Sequence, residues 1–396
     1  MIYRIEVWIT LAADPVLAGE MICEIEANGR GRGAFRYAPG YLRRRGTISL
    51  DPVSLPLDDG ELTIEHPGIF GVFEDSLPDD WGRRLLVRKH RIPLHQQNLP
   101  NLLLALGASG LGALCYAAKG APRREPAEVS VLKLDRLIEA AEAFESGDRS
   151  DAEINILLAA GSSPGGARPK ALVYDENGDE HCIAKFPSVK DDVDVVRIEA
   201  ATLALARKAG LIVPPTRLVL CGQRPVLLVR RFDITPQGRR HMISLQTLLK
   251  ATGYYQARYA DILQVVRKVS ADPQTDSGRL FRQMVFNAVV HNTDDHLKNF
   301  WMVGDANAGW RLSPAFDLVP DIARRGEHVL FFDLDPCFPG RTRLEKIGRA
   351  WGISGAAAIV EEVFSAVAGW RGEFAASGTP AKEIERFAEI DDYLGR

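Results

Sequence analysis

The run HNTDDHLKNF, residues 291–300, follows directly on an apolar segment, Leu280 to Val290, that reads as a helix. Polar and ionisable side chains crowd into one turn there. The spacing of Asp294 and Asn299 suits phosphoryl transfer, which needs a carboxylate to orient or deprotonate an attacking hydroxyl and a nearby amide oxygen to hold a magnesium ion. A second carboxylate must hold magnesium against the phosphates of ATP. Asp317, in SPAFDL, supplies it beyond a predicted hairpin through Phe300–Val303 and Trp310–Leu312. Any one of these residues taken alone is better explained by a turn or an N-cap, where Asp is common. The three in this order, joined by His296 and Lys298, favour catalysis. His291 and His296 do not read as a metal pair, because a separation of five does not stack two side chains on one helix face. His296 is expected to brace the loop.

A second constellation is GSSPGGARPKALV, residues 161–173, where glycines and a proline precede a strand and leave backbone amides available to an anion. Gly165, Gly166 and Ala167 would carry those amides. The loop is not a Walker A motif, because no Gly-Lys-Ser/Thr closes it. Lys170 follows, and Lys185 in CIAKFP is a lone charge in an apolar strand, where burial is costly without an anionic partner. Kinases pair such a lysine with a glutamate from the next helix, which makes Glu199 the candidate; the alternatives are a snorkelling Lys185 and a solvent-facing Glu199. LLVRRFD, residues 227–233, would link two lobes and offer its backbone to an adenine edge, while Arg231 and Asp233 could equally form a surface ion pair.

The elements that must position these groups follow from length and pattern. At 396 residues the chain exceeds what one core usually organises, so two or three lobes with a cleft are expected. Residues 1–125 mix short strands, among them Glu6–Thr10, with a helix beginning near Leu77, where Pro78, Asp79 and Asp80 suit a first turn. Residues 126–235 carry strands at Ala171–Tyr174 and His181–Phe186, joined across an Asn177-Gly178 turn, then a helix over Asp192–Ala209 stopped by Gly210, and two further strands. Residues 236–396 are mainly helical. The fold class is α+β.

Composition sets bounds. The chain is 46% hydrophobic and 26% charged, as in ordinary globular proteins, and Lys and Arg (49) nearly balance Asp and Glu (52). No global basic field exists to hold nucleic acid, so DNA contact would be local or borrowed. The five cysteines are scattered and never spaced CxxC, which argues against a zinc site or a disulfide framework and fits a reducing compartment. The start, MIYRIEVWIT, reads as a strand and not a signal peptide. The long uncharged stretch Gln96–Ala118 is broken by Pro100 and by glycines from Gly107 to Gly112, and so reads as a buried helix and turn, not a membrane span.

In sequence order, GSSPGGARPK, AKFP, LVRRFD, TDDHLKNF and LSPAFDL resemble the HipA serine/threonine kinase toxins, and FGVFEDSLPDDWGRRLL with GALCYA resembles their small N-terminal subdomain. The resemblance covers nearly the whole chain. It implies a two-lobed protein-kinase-like fold with that extra subdomain, and a cytoplasmic enzyme using ATP and magnesium. By motif position it makes Asp294 the catalytic base, Asn299 and Asp317 the metal ligands, and Lys185 the phosphate lysine. The nucleotide site it implies also draws on Ser163, Gly165, Gly166, Ala167, Lys170, Glu199, Arg231, Phe232, Asp233, His296 and Lys298. Ser163 falls where the family autophosphorylates, with Ser162 beside it. The implied partners are a HipB-like helix-turn-helix antitoxin, through which DNA is met indirectly, and a protein substrate such as an aminoacyl-tRNA synthetase. Two other readings of the catalytic trio are a small-molecule or lipid kinase, which shares the Asp-x-His-x-x-Asn order, and a kinase-like co-repressor without catalysis.

Overall fold

The computed structural model describes residues 1–26, 30–65, 68–123, 129–130, 133–147, 157, 168–174, 180–253 and 257–395. Ser162, Ser163, Gly165, Gly166 and Ala167, and the Asn177-Gly178 turn, lie outside the described residues. Contacts divide the chain into two compact units. The first is Met1–Val189, Val229–Ile243 and Val303–Gly309; the second is Lys190–Leu228, Ser244–Met302 and Trp310–Arg396. Among the described residues, no helix is long and apolar enough to cross a membrane.

The first unit is built on an antiparallel sheet of β1 (Ile2–Ile9), β2 (Val16–Ile25), β3 (Gly31–Tyr37), β4 (Leu62–Ile64) and β5 (Leu114–Ala118), in the order β4-β3-β2-β1-β5. Alternation in β1 sends Ile5, Val7 and Ile9 into the core, where Phe35 and Tyr116 are also buried. The helices Asp80–Lys89 and Leu99–Leu106 contribute Trp81, Leu85, Leu86, Leu102, Leu103 and Leu106 to the buried set. The first of these starts later than its sequence suggests. Asp79 is extended, at φ −74° and ψ −171°, and serves as the N-cap, so Pro78 stays outside.

A second group of strands in this unit begins with β6 (Val129–Ser130), parallel to β7 (Lys170–Tyr174), which pairs antiparallel with β8 (His181–Lys185). A helix not singled out by the sequence, Leu134–Glu145, buries Leu137, Ile138, Ala140 and Ala141. After β8 the chain returns to this unit at Val229–Ile243. Here Arg231 and Asp233 are not a surface pair: their side chains are 2% and 3% exposed and bond bidentately at 3.0 and 2.7 Å. Asp233 also accepts the Gly112 N–H at 2.8 Å, at a turn whose φ of +73° favours glycine. Burial alone would raise the Asp233 carboxyl, but the Arg231 charge and hydrogen bonds hold it below the usual range.

The second unit is mainly helical. Val195–Lys208 forms within the span expected, N-capped by Asp194 through the Arg197 N–H at 3.0 Å and followed by Gly210 at φ +77°. Glu199 on this helix is 5% exposed, so the solvent-facing reading of it is corrected. At the centre lies the 18-residue helix Pro273–Val290, longer than its apolar stretch because Asp272 caps it and Pro273 takes the first turn. Asp276, 0% exposed, accepts from Arg279 Nη1 (3.0 Å), Ser270 Oγ (2.6 Å), Arg311 Nε (3.0 Å) and Nη2 (3.2 Å), and the Leu312 N–H (2.9 Å). Burial pushes the Asp276 carboxyl up, but these donors outweigh it and hold the group below the usual carboxylate range.

Asp276→Ala should therefore destabilise the protein by about 2–3 kcal/mol, less than the ~3–5 of a fully buried pair because Arg311 stays partly hydrated. Urea unfolding measures it. Because the folded pKa is depressed, this contribution is complete above the ordinary Asp value of about 3.9 and fades as pH falls toward the lower folded value. The stability gap between wild type and variant should accordingly narrow below about pH 4. A gap that stays constant to lower pH would contradict the assignment.

Candidate active site

The segment that follows the central helix is shaped by its exit. His291 takes a left-handed conformation, φ 57° and ψ 46°, ending the helix without glycine. Asn292 folds back on Asn287, with its N–H on the Asn287 carbonyl at 2.9 Å and Nδ2 on Oδ1 at 3.1 Å. The two adjacent carboxylates then meet opposite fates. The Asp294 side chain is 56% exposed, whereas that of Asp295 is fully buried.

Asp295 is saturated with donors. Oδ1 accepts the Val329 and Leu330 N–H groups at 2.9 and 3.2 Å; Oδ2 accepts the Tyr259 hydroxyl at 2.6 Å and lies 3.1 Å from His328 Nδ1. Burial, with the Asp295 charge second, pushes the Tyr259 phenol well above its ordinary value. The Tyr259 hydroxyl in turn accepts from Asn287 Nδ2 at 3.0 Å. The segment after Asp317 is thereby fastened to the loop that carries Asp294. Sequence reasoning missed this anchor, because nothing local distinguishes Asp295 from Asp294 and its partners lie more than thirty residues away.

Asn299 closes the loop from the other side. Its Nδ2 donates to the Asp294 carbonyl at 2.8 Å, which leaves Oδ1 as the atom for a hard cation. Trp301 Nε1 donates to the Lys298 carbonyl at 2.6 Å, so Lys298 and Asn299 sit in a fixed turn at the head of the strand Trp301–Asp305. The return strand is Gly309–Leu312. Its end is tied back by the Ser313 N–H on the Trp301 carbonyl at 2.9 Å, so the chain leaves toward Asp317 beside the point where it arrived from Asn299. Arg279 Nη2 holds the Ser313 carbonyl at 2.9 Å, and the Ala315 N–H meets the Ile212 carbonyl at 2.8 Å. Asp317 itself has φ +56°, a conformation that costs a non-glycine residue about 1–3 kcal/mol and clusters at functional sites.

Two side chains face Asp294. Arg325 Nη1 lies 2.5 Å from Oδ1, and His296 Nε2 lies 4.0 Å from Oδ2, beyond hydrogen-bond reach. In the first unit, Lys170 and Lys185 are direct partners in the β7–β8 register and so project from the same face. The structure thus brings Asp294, Asn299 and the approach to Asp317 together in one unit, and Lys170 with Lys185 in the other; Glu199 lies in the second unit, and Arg231, Phe232 and Asp233 in the first.

Comparison with known proteins gives two family matches. A sequence model of the HipA-like C-terminal domain matches residues 162–370, and one of the HipA N-terminal domain matches residues 13–117. Two curated proteins of Sinorhizobium fredii are similar over part of the chain. "Putative kinase Y4mE" is 33% identical over 152 residues, which is 36% of this chain and 34% of that protein. "Putative kinase Y4dM" is 28% identical over 155 residues, 35% of this chain and 37% of that one. The chain spans about a third of the length of these curated relatives. Among solved structures, a chain from the Shewanella oneidensis MR-1 toxin–antitoxin complex of HipA, HipB and operator DNA superposes with a TM-score of 0.68 at 18% identity, over 98% of this chain and 95% of that one. That likeness establishes the fold, in agreement with the α+β class read from the sequence. With a family match over more than half its length and the fold shared almost end to end, the chain belongs to the HipA family.

Proposed function

We propose that the protein is an ATP- and magnesium-dependent serine/threonine protein kinase of the cytoplasm, the toxin of a toxin–antitoxin pair. The observation that carries this reading is the closure of the Asn299 amide on the Asp294 carbonyl, at the open end of the paired strands that lead to Asp317. A carboxylate for a hydroxyl proton and two hard oxygen donors for a small cation then issue from one framework. That donor set fits magnesium, which takes one or two protein carboxylates and fills its shell with water and substrate phosphate. In this reading residues 1–125 are a HipA-like N-terminal subdomain, 126–235 the nucleotide lobe and 236–396 the catalytic lobe.

Asp294 accepts the proton of the acceptor hydroxyl, while Asn299 and Asp317 hold magnesium. The ion, when bound, neutralises charge developing on the transferred phosphoryl group. Lys185, with Lys170 beside it, contacts the ATP phosphates, and Gly165, Gly166 and Ala167 offer them backbone amides. His296 and Lys298 flank the phosphates from the catalytic loop. Because the Arg231 and Asp233 side chains are occupied with each other, Arg231–Asp233 meets adenine through its backbone. A HipB-like helix-turn-helix antitoxin is the partner, with DNA reached through it, and an aminoacyl-tRNA synthetase is a candidate substrate. Phosphorylation of Ser163 would set roughly two negative charges among the loop amides, so self-modification silences the enzyme.

Three measurements test this. Asp294→Asn should retain fold and ATP affinity but slow transfer by about 10²- to 10⁴-fold, because it removes proton acceptance at constant shape. Transfer at the wild-type rate would exclude this base. Asp317→Ala should weaken magnesium-dependent ATP binding, read by calorimetry; equal affinity at saturating magnesium would count against it. Mass spectrometry after incubation with ATP and magnesium should find phosphate on Ser163, and that form should bind ATP more weakly than the unmodified chain.

A further inference from the structure

With more than half of its side chain open to solvent, Asp294 is not held in one rotamer by its own burial. Among the described residues, the charged group within hydrogen-bond reach of its carboxylate is the Arg325 guanidinium, Nη1 to Oδ1 at 2.5 Å. The contact is one-pronged. An arginine that plugged the site would close its fork over both oxygens, as bidentate arginine–carboxylate pairs do, whereas here, among the described residues, the basic side chain nearest Oδ2 is His296, at 4.0 Å. The loop bearing Arg325 is also braced. Asp321 Oδ2 accepts the Gly326 N–H at 2.9 Å. Arg324 is held at φ +54°, a conformation that persists in a non-glycine residue only where its surroundings over-determine it. Just beyond, Asp295 grips Val329 and Leu330, and the Val329 N–H cannot drift because Thr293 also accepts it at 3.1 Å.

Resting on the kinase reading above, we propose that Arg325 is a positioning residue for the reaction, pinning Oδ1 of Asp294 so that Oδ2 is presented to the acceptor hydroxyl. As that hydroxyl's proton passes to Oδ2, its oxygen bonds to the γ-phosphorus of ATP. The bond from that phosphorus to the β-phosphate oxygen breaks, and ADP leaves. Arg325 touches none of the reacting atoms. It removes the rotational freedom of the group that does, and correct orientation of a reacting group is worth one to several orders of magnitude in rate.

The test uses the full-length chain with γ-labelled ATP and magnesium, following phosphate incorporation into the chain itself in a single turnover at several ATP concentrations. Arg325→Ala should lower the saturating rate constant by roughly tenfold or more and leave the half-saturating ATP concentration unchanged. Arg325→Lys should recover part of the loss. Asp321→Ala, which loosens the loop without touching the guanidinium, should give the same pattern more mildly. In an Asp294→Asn background, Arg325→Ala should have no further effect, because residues that act through one group are not additive. A faster rate in Arg325→Ala would mean that the arginine is a plug, and an equal loss in the Asp294→Asn background would mean that it acts independently; either overturns the proposal. If the wild type incorporates phosphate and Arg325→Ala matches it, this inference falls alone. If the wild type incorporates none, the kinase reading falls and this inference with it.

Discussion

Everything in the second unit that bears on chemistry hangs on one buried helix, Pro273–Val290, and on the two carboxylates that work at its ends. Asp276 near the N-terminal end draws in Arg311 and Leu312 of the return strand; Asp295, just past the C-terminal end, draws in residues 328–330. With 18 residues the helix is a strut of roughly 27 Å, and it does not bend to accommodate a misplaced loop. Burying a carboxylate is costly unless donors surround it, so each of these acids fixes a single arrangement in which its donors converge. Specificity of arrangement, more than gross stability, is what such groups provide.

The division of labour between neighbours follows from that. Asp294 and Asp295 are chemically identical and adjacent, yet one is saturated by four contacts and the other is left open to solvent with a single arginine contact. A carboxylate already surrounded by donors has no lone pair to give a substrate. One left exposed has lone pairs to give but no fixed direction. The local design resolves this by making the saturated acid the anchor for the segment that steers the open one.

Much of this was legible in the sequence, and the limits have physical reasons. Strands and helices declared themselves where a single periodicity ran uninterrupted, as in β1, β7, β8 and Val195–Lys208. Boundaries failed where a proline or cap overrode the apolar pattern, at Leu77–Asp79 and at Asp272–Pro273. The spacing of Asp294, Asn299 and Asp317 could be read because it is local along the chain. Asp295 as anchor could not, since Tyr259 and His328 reach it only through the folded structure, and the burial of Arg231 with Asp233 was equally hidden because exposure is not a property of a dipeptide.

The interleaving of the two compact units bears on how the chain is made. The first unit draws its last pieces from Val229–Ile243 and Val303–Gly309, each after a stretch of the second unit's chain has already passed. Neither unit is a contiguous stretch that could be cut out, and neither can be completed early on the ribosome, where domains made of continuous sequence ordinarily fold one after another. At about 5–20 residues per second, synthesis leaves an interval of many seconds in which the N-terminal sheet can exist while its remaining segments have yet to emerge. The groups at Asp294 and Asn299 appear only shortly before that interval ends, so a nascent chain carries the first unit's sheet well before it carries the chemistry.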